Sequence, residues 1–329
     1  MSEPSKSSER GGSVGGGPGP AGTRRLPDDH PRPDYTPADH AQLALLLEVA
    51  GTPKPGNVDR RRDLTDLRFE QFLAGGIGSG EGLRRAADGA PVGEAFERAV
   101  AGMGQQSGGN TQFGALLLLV PLVRAAAGDD LSPNGARRVV ESTTVADAVG
   151  FYRAFDHVDV AVGDPPADAT DLDVRRGSDA ASTLRERGLT LSDVMALAAD
   201  HPEDAGSDGN ARELVRGYPR AFRAAESILT DEGSILDRAA RAFVDLLAGD
   251  ELDTLVVKNH GPGRARELRE RTRDLGGDLG SEEPAADRID LAAADALADD
   301  LVAAGVNPGT TADAVAAALF VALERGVTV

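Results

Sequence analysis

An all-α fold, a single mostly helical domain behind a disordered N-terminal tail, is the architecture this 329-residue sequence predicts. Three observations carry that expectation. Apolar residues recur mostly at helical spacing from Thr36 onward. Only "HVDVAVGD" (157–164) and "LDTLVVKNHG" (252–261) look strand-like, and two short candidates do not build an α/β sheet. The first 36 residues are rich in Gly, Ser, Pro and charge without an apolar core segment, so they read as a disordered tail rather than a signal peptide. The domain is therefore expected over 37–329, long enough to bury a substantial core.

The elements follow in order. "TPADHAQLALLLEVAG" offers Thr36 as N-cap, Pro37 at the first helical position, Asp39 in the first turn and Gly51 as the stop, which delivers Glu48 to the helix end. "NTQFGALLLLVPLVRAAAGDD" predicts a buried helix opened by Asn110 or Thr111, with a kink at Pro121 and an end near Gly128. "SPNGARRVVESTTVADAVGFYRAF" predicts one more from Ser132. Further helical patterns cover about 190–200, 209–229, 231–248, 263–275, 290–304 and 310–325, with loops at about 163–180, 201–209 and 276–288. No fixed-period repeat occurs.

Composition excludes several function classes. No cysteine is present, which removes disulfides, thiolate zinc sites and a cysteine nucleophile and is compatible with a reducing cytoplasm. No run of eighteen apolar residues exists, so no membrane helix is expected. A formal charge of -19 argues against a nucleic-acid partner, since a phosphate-binding face needs a basic stripe. With 3 Lys against 32 Arg, the acidic, Lys-poor surface fits either high-salt adaptation or solubility from net charge.

Familiar nucleotide and hydrolase signatures are missing. There is no GxxxxGK[ST], "GGIGSGEG" lacks the GxGxxG spacing and a preceding strand, and neither HExxH nor GxSxG appears. Three glycine-containing turns remain. Pro53-Lys54-Pro55-Gly56-Asn57-Val58-Asp59-Arg60 closes the helix carrying Glu48; Gly108-Gly109-Asn110-Thr111 opens the apolar helix; Gly305-Val306-Asn307-Pro308-Gly309-Thr310-Thr311-Ala312-Asp313 opens the last one. Two of them place glycine and hydroxyl residues at a helix N-terminus, where free N–H groups and the dipole favour an anion, though ordinary N-capping uses the same residues. Asp313, in a first helical turn, suits either the dipole or Mg²⁺; Asp63 and Asp66, at i,i+3, suit either a hydrated Mg²⁺ or pairing with Arg60, Arg61 and Arg62. Beyond the tail the lysines are Lys54 and Lys258, each beside a glycine turn, and a lysine kept in an arginine-rich chain points to a local need for a compact ammonium.

Taken together, "EVAGTPKPGNVDR", "DLRFEQFL", "GGNTQFGALLLL" and "GVNPGTTADAVAAALFVAL" resemble, in order and spacing, the triphosphoribosyl-dephospho-coenzyme A synthase family. "RGLTLSDVMALAAD", "ARELVRGYPRAF" and "DTLVVKNHGPGRARELRER" look like its archaeal branch, and the resemblance spans about 40–326. It implies a mostly helical fold and a Mg²⁺-assisted reaction of ATP with 3′-dephospho-CoA, in which a ribose hydroxyl of the acceptor displaces adenine from C1′ of ATP. On that resemblance Glu48, Lys54 and Asp66 are the catalytic candidates. Lys54, Gly56, Asn57, Arg60, Gly109, Asn110, Thr111, Gln112, Asn307, Gly309, Thr310 and Thr311 are expected at nucleotide and phosphate, and Asp63, Asp66 and Asp313 at the metal.

Two positions depart from the family pattern. Leu64 stands where the family has a histidine in its His-Arg-Asp-Met-like segment, and Asn110-Thr111-Gln112 replaces Asn-Thr-His. Gln112 can hydrogen bond but cannot carry a proton near neutral pH. Three other readings therefore stay open: the same ATP chemistry on a different acceptor, a nucleotide- or CoA-binding regulator without turnover, and a glycohydrolase in which water replaces the acceptor.

Overall fold

The computed structural model describes Met1 and residues 35–163, 165, 169–199 and 208–329. The expected tail falls almost wholly outside the described residues, as does most of the loop expected at 201–209.

The first helix forms as its sequence dictates. In α1 (Pro37–Ala50) Thr36 Oγ1 accepts the Asp39 N–H, the Asp39 carboxylate accepts the Thr36 N–H at 2.9 Å, and Gly51 ends the helix. Three helices follow that periodicity alone did not resolve: α2 (Phe69–Gly78), α3 (Gly80–Ala87) and α4 (Val92–Met103). "GGIGSGEG" lies at the junction of the first two, and its glycines serve close packing. A Cβ at Gly78 would stand 2.2 Å from the Gly102 carbonyl oxygen, and one at Gly82 would stand 2.3 Å from the Ala99 nitrogen, so α2 and α3 rest backbone to backbone on α4.

The apolar helix is α5 (Phe113–Ala127), with Pro121 inside it and Gly128 at its C-cap. The segment expected as one helix from Ser132 is two, α6 (Pro133–Glu141) and α7 (Val145–Ala154). Thr144 makes a capping box with Asp147, and that restart satisfies the new helix end. After short 3₁₀ turns at Thr170–Leu172 and Val174–Ala180 come α8 (Ala181–Arg187), α9 (Leu191–Ala199) and α10 (Gly209–Arg216).

The expected helix over 209–229 also breaks. Gly217 and Tyr218 both take left-handed φ, +77° and +62°, and Pro219 opens α11 (Pro219–Thr230). The buried Glu213 carboxylate accepts the N–H groups of Arg220 and Ala221 at 3.2 and 3.1 Å and so caps α11 in place of a local side chain.

Next come α12 (Ile235–Ala248) and α13 (Thr254–Arg273), the latter bent at Gly261 before Pro262. The last three are α14 (Ala285–Arg288), α15 (Leu291–Ala303) and α16 (Gly309–Glu324). Neither strand candidate forms a strand: 157–163 has no regular structure and 254–261 belongs to α13. Asp253 decides the second case, since its side chain accepts the Val256 N–H at 3.1 Å and nucleates a helix from β-branched residues.

The core is organised around α16. Its "AVAAALFVAL" stretch is buried on every face and packs on α1, α5, α11 and α12. Alanines at 314, 316, 317, 318 and 322 let those neighbours approach closely. This packing places the N-termini of α5 and α16 and the C-terminus of α1 at one end of the core. Among the described residues no helix is long and apolar enough to cross a membrane.

Candidate active site

The turn after α1 is tied inward by its own side chains. Lys54 is fully buried; its Nζ contacts Glu48 Oε1 and donates to Asn57 Oδ1 at 2.9 Å. Asn57 Nδ2 in turn donates to Asn307 Oδ1 at 2.8 Å, which joins this turn to the one before α16. Gly56 makes the approach possible: with φ +82°, its missing Cβ would lie 2.3 Å from the Val306 carbonyl oxygen. Lys54 is thus neutralised within the protein, and sequence reading had set it at a phosphate.

The arginines behave similarly. Arg62 bonds Asp59, Asp295 and Asp299 at 3.1, 2.7 and 2.6 Å, and Asp59 also accepts the N–H groups of Lys54 and Arg61. Arg60 and Asp66 are exposed, and Asp63 accepts the Phe69 N–H at 2.9 Å at the start of α2. The expected metal trio of Asp63, Asp66 and Asp313 is not assembled: among the described residues no group of three or more acidic or histidine side chains is placed to hold a metal ion. Leu67, next to Asp66, does reach the cavity wall.

At the entry to α5, Asn110 Oδ1 accepts the Phe113 N–H at 3.1 Å, while the polar atoms of the next two side chains have no partner. Thr111 Oγ1 and both ends of the Gln112 amide are shielded from water and unbonded. Each such group costs about 1–3 kcal/mol when desolvated without a partner. Glycines at 75 and 76 of α2 make the room for them.

At the entry to α16, Thr311 donates from both N and Oγ1 to Asp253, at 2.7 and 2.8 Å, so it serves the fold and fastens α16 to the start of α13. Asp313 accepts from Asn210 Nδ2 at 2.8 Å, and Asn210 Oδ1 is buried without a partner. Burial pushes the Asp313 carboxyl up to about 8, and the negative charges of Glu48, Asp253 and Asp208 push the same way. Burial also raises Glu48, but the Lys54 ammonium against it opposes that shift.

These pieces line one cavity of about 800 Å³. Glu48, Asn57, Gly109, Asn110, Thr111, Gln112, Asn210, Asn307, Gly309, Thr310 and Asp313 form its polar end. Leu117, Phe113, Phe151, Phe155, Val194 and Met195 form an apolar end, where the phenylalanine rings pack at 4.7–6.4 Å between centroids. Lys54, Gly56, Arg60, Asp63, Asp66 and Thr311 are not in its lining. Sequence reading missed Asp208, Asn210 and Asn259 on that wall; the Asp208 side chain, which bonds the N–H groups of Asn210 and Ala211 as a helix cap, was the available signal.

A buried carboxyl and a half-buried one, unmet amides and helix entries on one half-apolar cavity define a small-molecule site with acid–base capability. The family model described as CitG, ATP:dephospho-CoA triphosphoribosyl transferase, matches residues 34–328, and the chain belongs to that family of transferases. A proposed triphosphoribosyl-dephospho-CoA synthase from Archaeoglobus fulgidus, known from its crystal structure, shares the fold: TM-score 0.56, 24% identity, 77% of this chain and 99% of that one covered. No curated protein sequence matches the chain.

Proposed function

We propose that the cavity is where ATP and 3′-dephospho-CoA meet, and that Glu48 is the carboxylate working beside C1′ of the ATP ribose. The C1′–N bond to adenine breaks, a C1′–O bond to the acceptor hydroxyl forms, and the hydroxyl proton passes to Glu48. The net proton ends on adenine. Of the two carboxyls, Glu48 has an ammonium in contact that favours its charged form and Asp313 has only an amide, so Glu48 is the better placed to accept a proton. A carboxylate there also stabilises positive charge developing at C1′. The observation carrying this reading is the convergence of Thr111, Gln112 and Asn210, buried with unmet hydrogen-bonding atoms, on the wall that holds both carboxyls.

Mg²⁺ is the proposed cofactor. Magnesium is commonly held by one or two carboxylates plus substrate phosphates. Asp313 and the unmet Asn210 Oδ1 fit that requirement with hard oxygen donors, and these two residues would hold the ion. When bound it would neutralise triphosphate charge. Asp66 and Arg60, exposed on the loop whose Leu67 reaches the cavity, are proposed to act at its mouth. The proposed compartment is the cytoplasm, where both substrates occur, and high-salt adaptation is the proposed reason for the acidic surface.

Purified protein incubated with ATP, Mg²⁺ and dephospho-CoA in concentrated KCl should release adenine and form a conjugate whose mass is that of the two substrates less adenine. Adenine released only with another acceptor would replace dephospho-CoA in this reading. A folded protein that binds ATP but releases no adenine with any acceptor would overturn it.

A further inference from the structure

The charges on the cavity wall do not match its polyphosphate substrates. Its described lining carries the carboxyls Glu48, Asp159, Asp173, Asp208 and Asp313 and a single cationic side chain, Lys258. Among the described residues no arginine lines it, although the chain holds 32. Lys54, the other lysine beyond the tail, is locked against Glu48 and Asn57 inside the core.

We propose that Lys258 is the side chain that binds the polyphosphate of a substrate, and that Asp208 holds it in place until the phosphates arrive. The proposal rests on the reading of the cavity as the transferase site.

Lys258 sits on α13 three residues after Leu255, on the face against the start of α16. A Cβ on Gly309 would lie 2.8 Å from Leu255 Cδ2, and the His260 ring lies 3.2 Å from the Gly305 carbonyl oxygen. The ammonium therefore stands beside the turn that carries Asn307, Gly309 and Thr310, all on the same cavity wall. Beside them, Asn210 Oδ1 is buried without a partner.

In the free chain Lys258 Nζ pairs with Asp208 Oδ2 at 3.2 Å. The Asp208 side chain is 35% exposed, so water reaches the pair and it holds only weakly. A di- or triphosphate brings more charge than one carboxylate and displaces it by exchange. A flexible four-carbon stem allows that swing, which a planar guanidinium bound in several places would not.

The experiment measures metal-free binding of inorganic tripolyphosphate, ATP and dephospho-CoA by titration calorimetry, for the wild type, Lys258→Met and Lys258→Arg, with circular dichroism as the folding control. Lys258→Met should weaken tripolyphosphate at least tenfold, together with ATP or dephospho-CoA, and the substrate that weakens is the one whose phosphates Lys258 holds. Lys258→Arg should recover part of the loss. Binding of all three probes to folded Lys258→Met within twofold of the wild type would overturn the proposal, as would a wild type that binds none of them. A wild type that binds them through Lys258 yet releases no adenine would leave this site standing and remove the transferase reading alone.

Discussion

Asn57 donates its side-chain amide to the Asn307 side chain at 2.8 Å, a bond between residues 250 apart in sequence. It closes a chain of contacts that runs Glu48, Lys54, Asn57, Asn307 and holds the end of α1 against the start of α16. The catalytic carboxylate proposed here is thus positioned by a turn and by a second turn at the far end of the chain.

Gly56 is what permits that closure. Gly56→Ala forces a side chain into left-handed backbone and onto the Val306 carbonyl oxygen, 2.3 Å from the ideal Cβ. Stability should fall by about 1–3 kcal/mol in urea denaturation, from backbone strain alone, and adenine release should fall with it as the turns separate. Wild-type stability would show that the turns are not in contact.

Lys54→Met tests whether that ammonium serves the fold or the substrate. Both partners are buried, so removing the lysine strands the Glu48 carboxyl and should destabilise the protein by about 3–5 kcal/mol. Adding Glu48→Gln should recover most of it. A Lys54→Met protein as stable as the wild type but inactive would return Lys54 to the phosphates.

Gln112→Met should move stability and activity in opposite directions. It removes an amide with no partner at either end and keeps similar bulk, so stability should hold or rise by about 1 kcal/mol. Adenine release should drop at least about tenfold if the amide contacts substrate. Unchanged turnover would show that Gln112 only fills space.

Asp313 should make stability depend on pH when divalent ions are chelated. Its carboxyl is held up to about 8 in the folded chain and reverts to about 3.8 on unfolding. Between those values the unfolded chain has lost a proton that the folded one retains, so stability falls as pH rises from about 4 to 8. Asp313→Asn lacks this penalty. Its unfolding free energy should match the wild type near pH 4 and exceed it progressively toward pH 8, by on the order of 5 kcal/mol or less, with the melting temperature rising in step. Parallel curves for the two proteins would refute the raised carboxyl.

Much of this molecule is local and therefore legible in the chain. Thr36-Pro37-Asp39 caps α1, the unbroken apolar run makes α5, and the family motifs mark the three turns that meet at the cavity's polar end. Local signals were also present where the reading fell short: Thr144 with Asp147 restarts a helix, and Gly217-Tyr218-Pro219 stops one. The short helices over 69–103 depend on glycine contacts between helices, which no periodicity records.

The partners of the charges lay beyond that reach. In the sequence, Lys54 and Lys258 each stand beside a glycine turn, and Asp63, Asp66 and Asp313 each suit either a metal or a structural partner, with only the family resemblance favouring Lys54 and Asp66. Folding buries Lys54 against Glu48, sends Arg62 to Asp295 and Asp299, leaves Asp66 exposed, and brings Asp313 to Asn210 and Lys258 to the cavity. Helix formation depends on neighbours three or four residues away, whereas the work a charge does depends on what burial places beside it, and only the packed chain decides that.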